Sequence, residues 1–166
     1  IDNVPVKGVN RSGRAEEYSV EKHATVETID LSATGISKIN DWTFGNNKVV
    51  KAVLLPKTVT SVGKCAFYGC EALQSIDLSK TKMTVMDEWA FGYCNSLQEV
   101  RLPGKLTEIK KCAFLGCKKL QSINLSSTKI KAIRAKAFCS CEALETLKLP
   151  KTMKTLEELA FGYCKS

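Results

Sequence analysis

The chain has 166 residues, 44% of them apolar and 25% charged, with a formal net charge of +8. That length supports a core of its own, and the balance is ordinary for a soluble globular protein. It excludes a membrane-crossing segment, since no stretch approaches the roughly 20 apolar residues that a span needs, and no signal peptide is visible. The first residue is Ile1, which reads as the start of a mature form or of a piece excised from a longer chain. Residues 1–23, IDNVPVKGVNRSGRAEEYSVEKH, hold two extended-looking pieces, VPVKGV and EEYSVEK, joined by a polar loop with Gly13. They fit none of the pattern that follows.

From residue 24 onward the sequence repeats. Phe occurs at 44, 67, 91, 114, 138 and 161, at spacings of 23, 24, 23, 24 and 23, and these are all the Phe in the chain. Ala precedes five of them and Thr43 precedes the first. Six units follow: 24–47, 48–70, 71–94, 95–117, 118–141 and 142–164. Long units carry Leu-Ser and short units Leu-Pro, so the full period is an alternating pair of 47 residues.

Each unit has the same apolar skeleton. Its third place reads Val26, Val50, Leu73, Leu97, Leu120, Leu144; its sixth Ile29, Val53, Ile76, Val100, Ile123, Leu147; its eighth Leu31, Leu55, Leu78, Leu102, Leu125, Leu149. The sixth and eighth places alternate with polar residues, which predicts a strand, and Pro or Ser at the ninth ends it. Two further columns begin at Ile36 and at Ile39. Ala and Phe lie four and five residues past the second, a spacing that suits one helical turn.

A unit of about 23 residues cannot bury its own apolar side, so units must stack. The predicted fold is an α/β solenoid, a leucine-rich-repeat arc. Six parallel strands line its concave face, short helical or 3₁₀ turns its convex face, and residues 1–23 form an N-terminal β cap. No second cap follows Lys165–Ser166, so either the array was cut from a longer one or an open C-terminal repeat packs on another chain.

The pattern LxxIxLPxxLxxIxxxAFxxC resembles the BspA-like, treponemal-class leucine-rich repeat family over about 24–164. The first unit departs from it with TFGNN, and Gly104–Lys105 replaces the usual pair ending in Thr. The resemblance implies a surface-exposed or secreted adhesion protein binding host or matrix proteins.

Eight cysteines raise the question of chemistry. Cys70, Cys94, Cys117, Cys141 and Cys164 share one place, three after Phe, which Asn47 fills in the first unit. A place that accepts both types reads as a structural ladder whose side chains hydrogen-bond loop backbone along the stack. Disulfides between neighbours are geometrically open, but five cysteines in one column cannot all pair. Cys65 and Cys112 share the place two before Phe with Trp42, Trp89, Lys136 and Leu159, a partly buried shoulder. Cys65/Cys70 and Cys112/Cys117 lie two units apart, about 10 Å along the stack, too far for one zinc ion. With His23 the only histidine, at the edge of the cap, and no assembled nucleophile, phosphate loop or carboxylate pair, neither an enzyme nor a cofactor is expected.

The candidate ligand-binding column is the seventh place, on the concave face: Asp30, Leu54, Asp77, Arg101, Asn124 and Lys148. It varies while the core columns hold, which is how solenoids make binding surfaces. Leu54 is the apolar anchor, and Asp77 and Arg101 are placed to pair across strands. The face lacks the aromatics that usually dominate interfaces. A protein ligand is therefore expected, with an intracellular scaffold as the alternative. A second alternative is an anionic polymer, because 48–70 carries four Lys and 118–141 six Lys or Arg, neither with an acid. Asn10 and Asn124 each open a glycosylation acceptor pattern.

Overall fold

The computed structural model describes residues 25–165. Each unit contributes two short strands. The first strands are β1 (Thr28–Asp30), β3 (Ala52–Leu54), β5 (Ser75–Asp77), β7 (Glu99–Arg101), β9 (Ser122–Asn124) and β11 (Thr146–Lys148). The second are β2 (Lys38–Ile39), β4 (Ser61–Val62), β6 (Val85–Met86), β8 (Glu108–Ile109), β10 (Ala132–Ile133) and β12 (Thr155–Leu156). All pairings are parallel and in repeat register, as in Thr28↔Ala52, Ser75↔Glu99, Ser122↔Thr146 and Ala132↔Glu108. The chain is thus a parallel β-solenoid in which one unit makes one coil. The expected N-terminal cap, residues 1–23, lies outside the described residues.

In β1 to β9 the middle residue of each first strand is buried and its neighbours face outward, as period-two alternation requires. The core runs through the stack as columns. Six Phe rings stack with centroids 4.9, 4.9, 5.4, 5.1 and 5.2 Å apart. Removing one inner ring would cost about 3–5 kcal/mol.

The helical turns expected on the convex side do not form: no helix occurs among the described residues. Three overlapping turns close each coil instead. In the second coil the amides of Ala66, Tyr68 and Cys70 donate to the carbonyls of Gly63, Cys65 and Phe67. The alternate amides, of Cys65, Phe67 and Gly69, point along the stack to the carbonyls of Glu88, Ala90 and Gly92. A helix would have kept those donors inside the segment. Helical φ is broken twice per coil, at Trp42 and Asn46, Cys65 and Gly69, Trp89 and Tyr93, Cys112 and Gly116, Lys136 and Ser140, Leu159 and Tyr163, all between 53° and 72°. The short second strands also exceed the sequence reading, which placed only apolar columns there.

The turn after each first strand depends on Leu-Ser or Leu-Pro. In long units the amide of Ser32, Ser79 or Ser126 donates to Oδ1 of Asp30, Asp77 or Asn124 at 2.9, 2.8 and 3.1 Å. Thr34, Thr81 and Thr128 hydroxyls then donate to the carbonyls of Leu31, Leu78 and Leu125. In short units Pro56, Pro103 and Pro150 have no amide to satisfy, and the seventh place is released from that duty.

Candidate binding surface

All six candidate residues on the first-strand face are exposed, Leu54 at 48%. The register sets Asp30 beside Leu54, Asp77 beside Arg101, and Asn124 beside Lys148. They do not form one kind of site. Asp30, Asp77 and Asn124 are occupied by the turn amides that follow them. Hydrogen bonds from Ser32 hold the Asp30 carboxyl below its ordinary range. For Asp77, burial pushes upward, but the Ser79 hydrogen bonds and Arg101 outweigh it and the net shift is downward. Leu54, Arg101 and Lys148 have no such turn to serve. The expected Asp77–Arg101 ion pair is replaced: Arg101 Nε donates to Glu99 Oε1 at 2.7 Å, two residues away on the same strand.

The aromatics missing from this face gather on the closing turns. Trp42, Tyr68, Trp89 and Tyr93 form a continuous cluster, with centroids 5.4 Å apart for Trp42–Tyr68, 5.9 Å for Tyr68–Trp89, 5.6 Å for Tyr68–Tyr93 and 6.2 Å for Trp89–Tyr93. Trp42 is 50% and Tyr93 40% exposed. The place expected as a partly buried shoulder is thus mixed: Cys65 and Cys112 are buried, whereas Trp42, Lys136 and Leu159 are exposed. The sequence signal was the Trp-x-x-Gly spacing. A Cβ on Gly45 would come within 2.6 Å of Trp42 Cε3, and one on Gly92 within 3.0 Å of Trp89 Cε3, so each glycine leaves room for its ring.

The eight cysteines are free thiols. Each ladder thiol donates to the carbonyl of a Phe in the preceding coil: Cys70 to Phe44, Cys94 to Phe67, Cys117 to Phe91, Cys141 to Phe114 and Cys164 to Phe138. Asn47 fills the same place by a different bond, its Oδ1 accepting from the amides of Val49 and Val50 at 2.9 Å each. Burial pushes the Cys70 and Cys141 thiols up to about 12, and those of Cys94 and Cys117 well above their usual range. These four stay protonated near neutral pH and are poor nucleophiles. No cluster of His, Cys, Asp and Glu able to hold a metal occurs among the described residues.

Much of the basic character is neutralised between coils. Lys48 pairs with Glu71, Lys51 with Glu27, Lys64 with Glu88 and Lys118 with Glu142, and Arg134 bridges Glu108 and Glu157. The two acid-free bands of the sequence are therefore not uniform cationic surfaces, since three of the four lysines in 48–70 are paired.

Among solved structures, a leucine rich cell surface protein from Faecalibacterium prausnitzii matches with a TM-score of 0.74 and 29% identity, over 83% of this chain and 39% of that one. A leucine-rich repeat protein from Eubacterium ventriosum shares the fold at 20% identity and a TM-score of 0.70, over 86% of this chain and 44% of its own. A T. pallidum leucine rich repeat protein is 26% identical with a TM-score of 0.65, over 95% of this chain and 68% of that one. The chain spans about two fifths of the length of the first two. No curated protein matches significantly. A family model described as "BspA type Leucine rich repeat region" matches six copies over residues 15–131. With that match and the stacked coils behind it, this chain belongs to the BspA-type leucine-rich repeat family.

Proposed function

We propose that the chain is a protein-interaction module of a surface or secreted protein, which binds host or matrix proteins through the first-strand face. The supporting observation is the division of labour along the seventh place. Asp30, Asp77 and Asn124 are tied to their turns, whereas Leu54, Arg101 and Lys148 stand exposed on alternate coils. The expected six-stranded face is divided: Leu54 and Arg101 lie on the sheet β1-β3-β5-β7, and Lys148 on the β9–β11 pair. An apolar anchor with two cations on a preorganised backbone limits the ordering cost of binding. A second reading rests on the turn cluster. Trp and Tyr are the types most enriched among binding hot spots, so a protein partner could dock over Trp42 and Tyr93. The eight free thiols also suit a reducing compartment, which keeps the intracellular scaffold as the alternative localisation.

The test uses binding to an immobilised, solubilised basement-membrane extract. The double substitution Leu54→Glu/Arg101→Glu is expected to leave the circular dichroism spectrum unchanged and to lower binding by about tenfold or more. If binding survives that change and is lost instead in Trp42→Ala/Tyr93→Ala, the turn flank is the interface. If both variants and the unmodified chain bind alike, neither surface is used for such proteins.

A further inference from the structure

The edge between the two strand columns differs from every other surface of the solenoid. It comprises 31–37, 55–60, 78–84, 102–107, 125–131 and 149–154, the segment between the first and second strand of each coil. Together these segments hold eight lysines and no Asp, Glu, Arg, Phe, Trp or Tyr. The eight are Lys57, Lys80, Lys82, Lys105, Lys129, Lys131, Lys151 and Lys154, all exposed. None takes part in an ion pair among the described residues.

Backbone hydrogen bonds fix these lysines in rows. Lys82 and Lys129 occupy the same place two coils apart, their amides donating to the carbonyls of Val59 and Leu106 in the preceding coils. Lys105 holds that place in the coil between them, one residue before the buried Leu106 as Lys82 precedes Met83 and Lys129 precedes Ile130. A second row follows on the other side of that buried column: the Lys154 amide donates to the Lys131 carbonyl, and the Lys131 amide to Thr107. Because the intervening residue points inward, both rows point outward. Successive cations in a row are separated by one coil, ~4.8 Å.

We propose that this edge binds a linear anionic polysaccharide, a chain bearing sulfate or carboxylate on successive sugars. The inference is independent of the protein-binding reading above, which uses other residues. A run of cations on four successive coils, Lys82, Lys105 and Lys129 in one row and Lys131 and Lys154 in the next, matches a polymer whose charge recurs along its length, and the coil spacing is close to the advance of one sugar ring. Lysine is a hydrated point charge on a flexible stem, suited to many weak contacts and not to one bidentate grip. Nucleic acid fits less well: stacking platforms for bases are absent from the edge, and so is arginine. Thr60, Thr84 and Thr107 continue the second row in the earlier coils; the Thr60 and Thr107 hydroxyls donate to the Ser37 and Thr84 carbonyls, and their oxygens can accept from sugar hydroxyls.

The experiment compares salt elution of the full chain from immobilised heparin, from immobilised double-stranded DNA, and from a sulfonate cation exchanger. The edge variant Lys82→Glu/Lys105→Glu/Lys129→Glu is matched by a control, Lys111→Glu/Lys119→Glu/Lys136→Glu. The control changes three exposed lysines without ion pairs on other surfaces, and either variant lowers the net charge from +8 to +2. The unmodified chain should elute later from heparin than from the exchanger. At ~0.15 M salt the edge variant should lose heparin affinity about tenfold more than the control. Equal losses in the two variants, or equal retention on heparin and exchanger, would show only net charge at work and overturn the proposal. DNA retention equal to or above that on heparin, lost in the edge variant, would overturn it in favour of nucleic acid.

Discussion

Cys70 and Cys141 are buried thiols held at about 12 by desolvation, against an ordinary value of 9.0. Between those values the unfolded chain ionises while the folded chain does not. The native state then binds more protons, so stability falls as pH rises from about 9 toward 12. Each thiol would contribute at most about 4 kcal/mol to that fall. Cys70→Ala/Cys141→Ala should therefore melt at a lower temperature than the unmodified chain at pH 7.5, because two buried sulfurs are lost. It should also lose less of its Tm between pH 8.5 and 10.5. Parallel Tm–pH curves for the two proteins would refute this account. The ladder was legible as a column because Asn47 and five cysteines share one offset from Phe. What the column could not reveal is that Asn accepts from the amides that open the next coil whereas Cys donates to the previous one. The seventh place divides into two kinds for a similar reason. Asp30, Asp77 and Asn124 each precede Leu-Ser, and Leu54, Arg101 and Lys148 each precede Leu-Pro. The pairing was visible, but its meaning depends on Pro lacking the amide that the Asx side chain would serve.

At the scale of the element, the closing turn was the largest surprise. A gap of four and five residues from a buried column to Ala and Phe is compatible with a helical turn, and equally with successive turns that bury both. The usual marker of positive φ is glycine, yet only Gly69 and Gly116 supply it among the twelve positions. Elsewhere Trp, Asn, Cys, Tyr, Lys, Ser and Leu take the strain, and none of the twelve is β-branched. Gly116 also leaves space for its neighbour, since a Cβ there would lie 2.8 Å from Tyr93 Cδ1. Ser140, at φ 57°, gives the cleanest test. The αL conformation costs a non-glycine residue about 1–2 kcal/mol, and glycine returns about 0.4–1 kcal/mol of that through the freer unfolded chain. Ser140→Gly should therefore stabilise by about 0.5–1 kcal/mol and raise Tm by roughly 1–4 °C. Ser140→Val should lower Tm, because a β-branched side chain is least tolerated there. A destabilising Gly together with a neutral Val in thermal melts would contradict this backbone geometry.

The whole molecule was the most legible level, because a repeat turns a sequence period directly into a translation along the stack. Six Phe at 23- and 24-residue spacings become six rings about 5 Å apart. Charge did not transfer in this way. A lysine in an acid-free band meets its carboxylate one coil away, as Lys48 meets Glu71 and Lys64 meets Glu88. Linear composition therefore overstated some cations and hid the edge where they stay unpaired.

The same translational logic predicts how the molecule opens. In a solenoid each coil is stabilised by its own propensity and by the interfaces with its neighbours. The last coil has one neighbour among the described residues, and its columns show it. Leu147, Leu149 and Leu156 are 36%, 43% and 54% exposed, whereas Ile76, Leu78 and Met86 in the same places of the third coil are 3%, 0% and 0%. The amides of Lys136, Phe138 and Ser140 reach the carbonyls of Glu158, Ala160 and Gly162, but no described coil lies beyond to receive the amides of Leu159, Phe161 and Tyr163. Native-state hydrogen exchange should accordingly be graded. Amides of β5, β7 and the Phe91 and Phe114 turns should open only with global unfolding. Amides of β11, β12 and the Phe161 turn should exchange faster and as a group, through detachment of the final coil. Protection that is uniform from the third coil to the sixth would mean instead that interface coupling outweighs the missing neighbour, and that the array unfolds as one unit.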